Sequence, residues 1–176
     1  MKNRINIILW MMFTIVGLVC INAKAETIAT FDDPAVDGTT PLFTVDFTTM
    51  LLNGGWSDAQ TGLLLHVPYS GHTFTDAWFT MTQVQIIDTF GDTGGGEINF
   101  YADGTSSDPL ITLNFGNGYV DYHNLGADSI FVTDNVIITG SEITGELSEE
   151  QFAFSFANLA NLPNHTEWAD GFTATA

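Results

Sequence analysis

Residues Gln151-Phe152-Ala153-Phe154-Ser155-Phe156-Ala157 alternate large and small side chains without a break, and this stretch constrains the fold more than any other. Successive side chains of a strand point to opposite faces, so the three phenylalanines share one face and Ala153, Ser155 and Ala157 the other. Three rings on one face need a partner layer to bury them. The same period of two recurs in Val45 and Phe47, in Ile98 and Phe100, in Ile111, Leu113 and Phe115, and in Phe172 and Ala174. No window shows sustained helical periodicity. The expected fold is all-β: a single-domain antiparallel β-sandwich or jelly roll over residues 26–176, built from about ten short strands.

The strands separate at turn-forming residues. Pro68 ends the apolar run Leu63-Leu64-Leu65, which predicts a strand covered on both faces. The longest strand-like stretch, 72–88, carries Phe79 and Met81 on one parity and Val84 and Ile86 on the other, predicting a bulge or bend at Thr82-Gln83. Ile98-to-Phe100 and Leu110-to-Phe115 flank the turn residues 102–109 and read as a β-hairpin. Further strands are expected at 119–122, 130–133, 136–139 and 142–147, a loop at 158–167, and a closing strand from Phe172.

The amino-terminal stretch has a different character. Lys2 and Arg4 precede an apolar run from Ile5 to Ile21, followed by Ala23-Lys24-Ala25. A basic end, a hydrophobic middle and an A-x-A site form the plan of a secretory signal peptide, so residues 1–25 are expected to be removed and the protein secreted or held at the cell surface. Cys20 lies within this segment, leaving no cysteine, and hence no disulfide, after it.

The chain's three basic residues, Lys2, Arg4 and Lys24, also lie there, whereas all 21 acidic residues follow Ala25. A surface without lysine or arginine repels phosphate and lacks the clamps that hold it, which excludes nucleic acid and nucleotides as partners. Acidic character also demands counterions or accepts self-repulsion.

Asp88, Asp92, Glu97, Asp103 and Asp108 lie within 21 residues, interleaved with Gly91, Gly94, Gly95 and Gly96. Hard cations take several oxygens from flexible loops, so these five carboxylates are the candidate ligands of a Ca²⁺ ion; solvated turn acids are the alternative. Asp32, Asp33 and Asp37 form a lesser acidic turn. His66 and His72 flank Pro68 and Gly71, but their spacing does not gather the three or four ligands that zinc needs. Glu142 and Glu146, or Glu149 and Glu150, are the formal carboxylate pairs of a glycoside hydrolase, without a signature separating them from a solvated face. Ser57 and Ser70 lack a nucleophile-elbow context. Trp56, Trp78, Trp168, Tyr69, Tyr101, Tyr119 and Tyr122 could include a sugar-stacking platform wherever they are exposed together.

Residues 142–145, the phenylalanine stretch through Asn158, and Gly171-Phe172-Thr173-Ala174-Thr175-Ala176 together resemble exported bacterial β-sandwich proteins of the PEP-CTERM group. The Pro-Glu-Pro element, hydrophobic segment and basic end of that group's sorting tail do not occur in these residues. The resemblance implies a surface or extracellular-matrix protein without a catalytic site, and it carries over no functional residue. The signal segment, the single all-β domain, the missing lysine and arginine and the strand-like terminus lead to an expected activity of non-catalytic self-association, adhesion or scaffold formation, with itself or extracellular polysaccharide as partner; a carbohydrate-binding module is the alternative.

Overall fold

The computed structural model describes residues 27–32, 42–56, 61–121, 130–133, 135–147, 150–163 and 170–175; residues 1–25, expected to form a signal peptide, lie outside them. Thr30–Asp32 (β1), Leu63–Val67 (β4), His72–Met81 (β5), Gly96–Tyr101 (β8), Ile111–Phe115 (β9) and Ile137–Thr139 (β12) form one antiparallel sheet in the order β1-β4-β5-β8-β9-β12. Phe43–Asp46 (β2), Leu51–Gly54 (β3), Val84–Gln85 (β6), Ala157–Asn161 (β14) and Gly171–Thr175 (β15) form a second, in the order β14-β15-β2-β3-β6. Asp92–Thr93 (β7), Gly118–Asp121 (β10), Ile130–Thr133 (β11) and Phe152–Ser155 (β13) form a third, in the order β13-β11-β10-β7. The protein is an all-β, sandwich-like domain, with no α-helix among the described residues.

The two smaller sheets make one curled layer. Phe156 carries β13 directly into β14, and on the far side the Ile86–Thr93 bridge joins β6 to β7, reinforced by Ile87 N–H donating to Asp92 O at 2.7 Å and Gly94 N–H to Gln85 O at 2.8 Å. The bridge covers the β6 and β7 edges, whereas β13 and β14 remain edge strands with one paired neighbour each among the described residues. The phenylalanine alternation supplies the filling: Phe154 and Phe156 are 6% and 1% exposed, and Phe152 is half-buried.

The six-stranded sheet packs onto this layer through aromatic contacts. Phe43 stacks on Phe154 with ring centroids 4.5 Å apart and reaches Phe79 at 5.6 Å, while Phe31 touches Phe79, Phe100 and Phe154. Offset and edge-on ring pairs add to the burial of each ring, so Phe43 ties all three sheets together.

The bend expected at Thr82-Gln83 is the point where the chain leaves the six-stranded sheet for the second, so the parity switch marks a change of sheet. The 98–100 and 110–115 hairpin forms as β8 and β9, with Ile98 opposite Leu113. Leu63 to Leu65 is covered on one face only: Leu63 and Leu65 are core, whereas Leu64 is half-buried. Two further expectations fail. Residues 142–147 form no strand, because Gly140, at φ +136°, turns the chain out of the sheet. The loop expected at 158–167 instead begins with β14, whose pairing with β15 overrides its turn-rich composition; residues 164–169 lie outside the described ones. The closing strand β15 pairs within its own chain, between β14 and β2.

Candidate functional site

Each of the five acidic residues read as calcium ligands has a definite place. Asp88 stands in the β6–β7 turn, where its Oδ1 accepts from the backbone N–H of Phe90 at 2.9 Å, Gly91 at 3.1 Å and Asp92 at 3.2 Å. Asp103 does the same in the β8–β9 turn, its Oδ1 accepting from Thr105 N–H at 2.7 Å, Thr105 Oγ1 at 2.7 Å, Ser106 N–H at 2.8 Å and Ser106 Oγ at 3.1 Å. The bonds from Thr105, then those from Ser106, hold its carboxyl below the usual carboxylate range. These are Asx turns, in which the carboxylate replaces a backbone acceptor. Asp92 lies exposed on β7, Asp108 lies exposed ahead of β9, and Glu97 Oε1 accepts from Asn99 Nδ2 at 2.7 Å on β8. Among the described residues, no three His, Cys, Asp or Glu side chains gather where one ion could be shared. Of the lesser acidic turn only Asp32 is described, exposed on β1.

A different convergence does form. Glu142, carried by the segment after Gly140, approaches the β4–β5 turn, where its Oε2 lies 2.7 Å from His72 Nδ1. The hydroxyl of Ser70 and then the His72 ring hold the Glu142 carboxyl below its ordinary range, against the opposing effect of burial. The set Ser70, His72 and Glu142 has the residue types of a nucleophilic triad, but the His72 ring meets the carboxylate and the Ser70 hydroxyl turns to Val67 O at 3.4 Å rather than to the ring. A triad needs the hydroxyl on the imidazole, so this cluster is a fastening between two loops. His66 instead faces Thr73 Oγ1 at 2.7 Å, away from any shared site with His72. Glu146 is exposed, Glu150 is half-buried, and Glu149 lies outside the described residues.

The aromatics divide between core and surface. Trp56 is 5% exposed and donates its Nε1–H to Thr61 O at 3.0 Å, so it is structural. Trp78 and Tyr101 are opposite each other on β5 and β8, both half-buried. Tyr69 is half-buried, while Trp168 and Tyr122 lie outside the described residues.

Tyr119 belongs to a group of exposed apolar side chains. It stands between Asp92 and Val132 across the third sheet, and Val132 in turn faces Ala153. Val120 and Phe154, one step along, are buried, so this row lies on the outer face. Phe90 and Ile87 stand beside it at the β6–β7 turn, 69% and 57% exposed. Gly91 permits that turn: it adopts φ +108°, and a Cβ there would meet Val120 O at 2.2 Å and Tyr119 Cε2 at 3.3 Å. Phe90, Ile87 and Val132 escape sequence reasoning, since the pattern Ile-Phe-Val of β11 does not say which side faces out. A phenylalanine inside an Asp-Gly turn is the one signal that could have found Phe90.

No family model matches the chain, and neither a curated protein nor a solved structure matches it significantly.

Proposed function

We propose that this chain is an exported, non-catalytic β-sandwich of the cell surface or extracellular matrix that works by self-association. The observation that supports this reading is the group of exposed apolar side chains Ile87, Phe90, Tyr119 and Val132, gathered around Asp92 on the outer face of an otherwise acidic molecule. Exposed apolar side chains grouped together are the usual mark of an interaction surface. Two such faces meeting would exclude water from large side chains, a driving force that is non-directional and independent of charge.

Charge sets the conditions. After Ala25 the chain holds 21 acidic residues and no lysine or arginine, so two copies repel unless the field is screened. The Debye length falls from about 30 Å at 0.01 M salt to about 8 Å at 0.15 M, and association rises with ionic strength accordingly. Calcium acts here chiefly as a counterion drawn by many carboxylates, because Asp88 and Asp103 already spend an oxygen on their own turns. The test is light scattering of the protein beginning at Glu26 across salt concentrations, beside Phe90→Ser and Val132→Thr. Salt-driven growth in mass that both substitutions suppress is expected. A monomer at every salt concentration, or growth indifferent to both substitutions, would refute the proposal.

A further inference from the structure

The outer face of the six-stranded sheet carries a chemistry unlike the apolar row. Across its ladder Trp78 faces Tyr101, Thr80 faces Asn99, and Asn99 faces Thr112. The alternate positions Phe79, Ile98, Phe100 and Leu113 are core, so this set faces outward. With strands about 4.8 Å apart and same-face residues about 6.7 Å apart, the surface from β5 to β9 covers roughly 10 by 13 Å.

Both halves of this surface are held in place. A polar chain runs through it: Thr112 Oγ1 donates to Asn99 Oδ1 at 2.6 Å, and Asn99 Nδ2 donates to Glu97 Oε1 at 2.7 Å. That leaves the second Asn99 N–H as a donor and Glu97 Oε2 as an acceptor, side by side. At the other end the Gly104 backbone lies against the indole, where a Cβ would fall 2.8 Å from Trp78 Cε2 and 3.1 Å from Nε1. The Asp103 turn fixes Gly104 in that position. Side chains already immobilised lose little entropy when a ligand arrives.

We propose that this face binds a neutral polysaccharide. Tyr101, and the part of the half-buried Trp78 ring that the core and Gly104 leave uncovered, offer ring surface to the C–H groups of a sugar, which the negative face of a π system attracts. The free Asn99 N–H donates to a sugar hydroxyl, Glu97 Oε2 accepts from one, and the Thr80 hydroxyl can do either. The ligand is neutral because a uronate or sulfate would enter the field of an acidic chain with no lysine or arginine after residue 24. This surface belongs to a different sheet from the association row, and neither function requires the other.

The test is calorimetry and tryptophan fluorescence on the protein beginning at Glu26, titrated with hexaoses of β-1,4-glucan, β-1,3-glucan and mannan, and with a hexauronate. At least one neutral hexaose should bind with Kd below about 1 mM and shift the tryptophan emission. Asn99→Ala and Tyr101→Leu, with melting curves like the parent, should weaken that binding about tenfold or more, the loss expected of about 1.4 kcal/mol. Trp78→Ala should abolish binding; if it does not fold, the other two substitutions decide the matter. Phe90→Ser should leave it unchanged. Failure of every neutral hexaose to bind, equal binding of the hexauronate, or indifference to Asn99→Ala and Tyr101→Leu would overturn the proposal.

Discussion

Thr93 and Thr133 stand on either side of Gly118 on the inner face of the third sheet, 0% and 3% exposed, yet they should respond in opposite directions to the same substitution. Thr133 Oγ1 donates to Asn117 O at 2.9 Å, whereas Thr93 Oγ1 is buried with no partner among the described residues. A buried hydroxyl left unpaired costs about 1–3 kcal/mol, while a satisfied hydrogen bond contributes about 1 kcal/mol. Valine keeps the shape and the strand preference of threonine and removes the hydroxyl. Thr93→Val should therefore stabilise by about 1–2 kcal/mol, and Thr133→Val should destabilise by about 1 kcal/mol because it removes the hydrogen bond to the Asn117 carbonyl. In urea, with m near 2 kcal/mol/M, the first raises the midpoint by about 0.5–1 M and the second lowers it by about 0.5 M, both at unchanged m. The reasoning fails if Thr93→Val lowers the midpoint, or if both substitutions move it the same way.

Other perturbations test the fold and its charges. Phe43→Ala, at the ring that joins all three sheets, should cost about 3–5 kcal/mol in a thermal or urea melt. Gly171→Ala should cost at least about 2 kcal/mol, because Gly171 adopts φ +131° and a Cβ would lie 2.1 Å from Val45 O; a smaller loss would show that β15 can shift in its pairing. Glu142→Gln should lower stability at neutral pH by about 0.5 kcal/mol, since its His72 partner is exposed. The folded-state pKa of Glu142 is depressed, so its contribution is present above the unfolded value and is lost as pH falls through the folded one; the Gln variant should lose less stability than the parent on acidification. Calcium should raise the melting temperature no more than salt of equal ionic strength, and a large rise at sub-millimolar calcium would establish a specific site among Asp88, Asp92, Glu97, Asp103 and Asp108.

The all-β class, the β8–β9 hairpin and the inward face of the phenylalanine strand followed from the sequence alone, because side-chain alternation reports local backbone geometry directly. Composition by itself determined that the chain after Ala25 has no lysine or arginine with which to clamp phosphate. Tertiary structure decided what depends on partners distant in the chain. Nothing near Thr82 says that a parity switch means a new sheet, and nothing near Phe156 says that one phenylalanine strand serves two. Acidic spacing suggested a calcium site, and the tertiary structure shows what spacing does not, that Asp88 and Asp103 each place Oδ1 on the backbone of a separate turn. Glu142 met His72 across 70 residues only because Gly140 redirects the chain. Alternation says that Trp78, Asn99 and Tyr101 share the side opposite the core, but only strand register sets them beside one another, since cross-strand neighbours are chosen by the whole sheet.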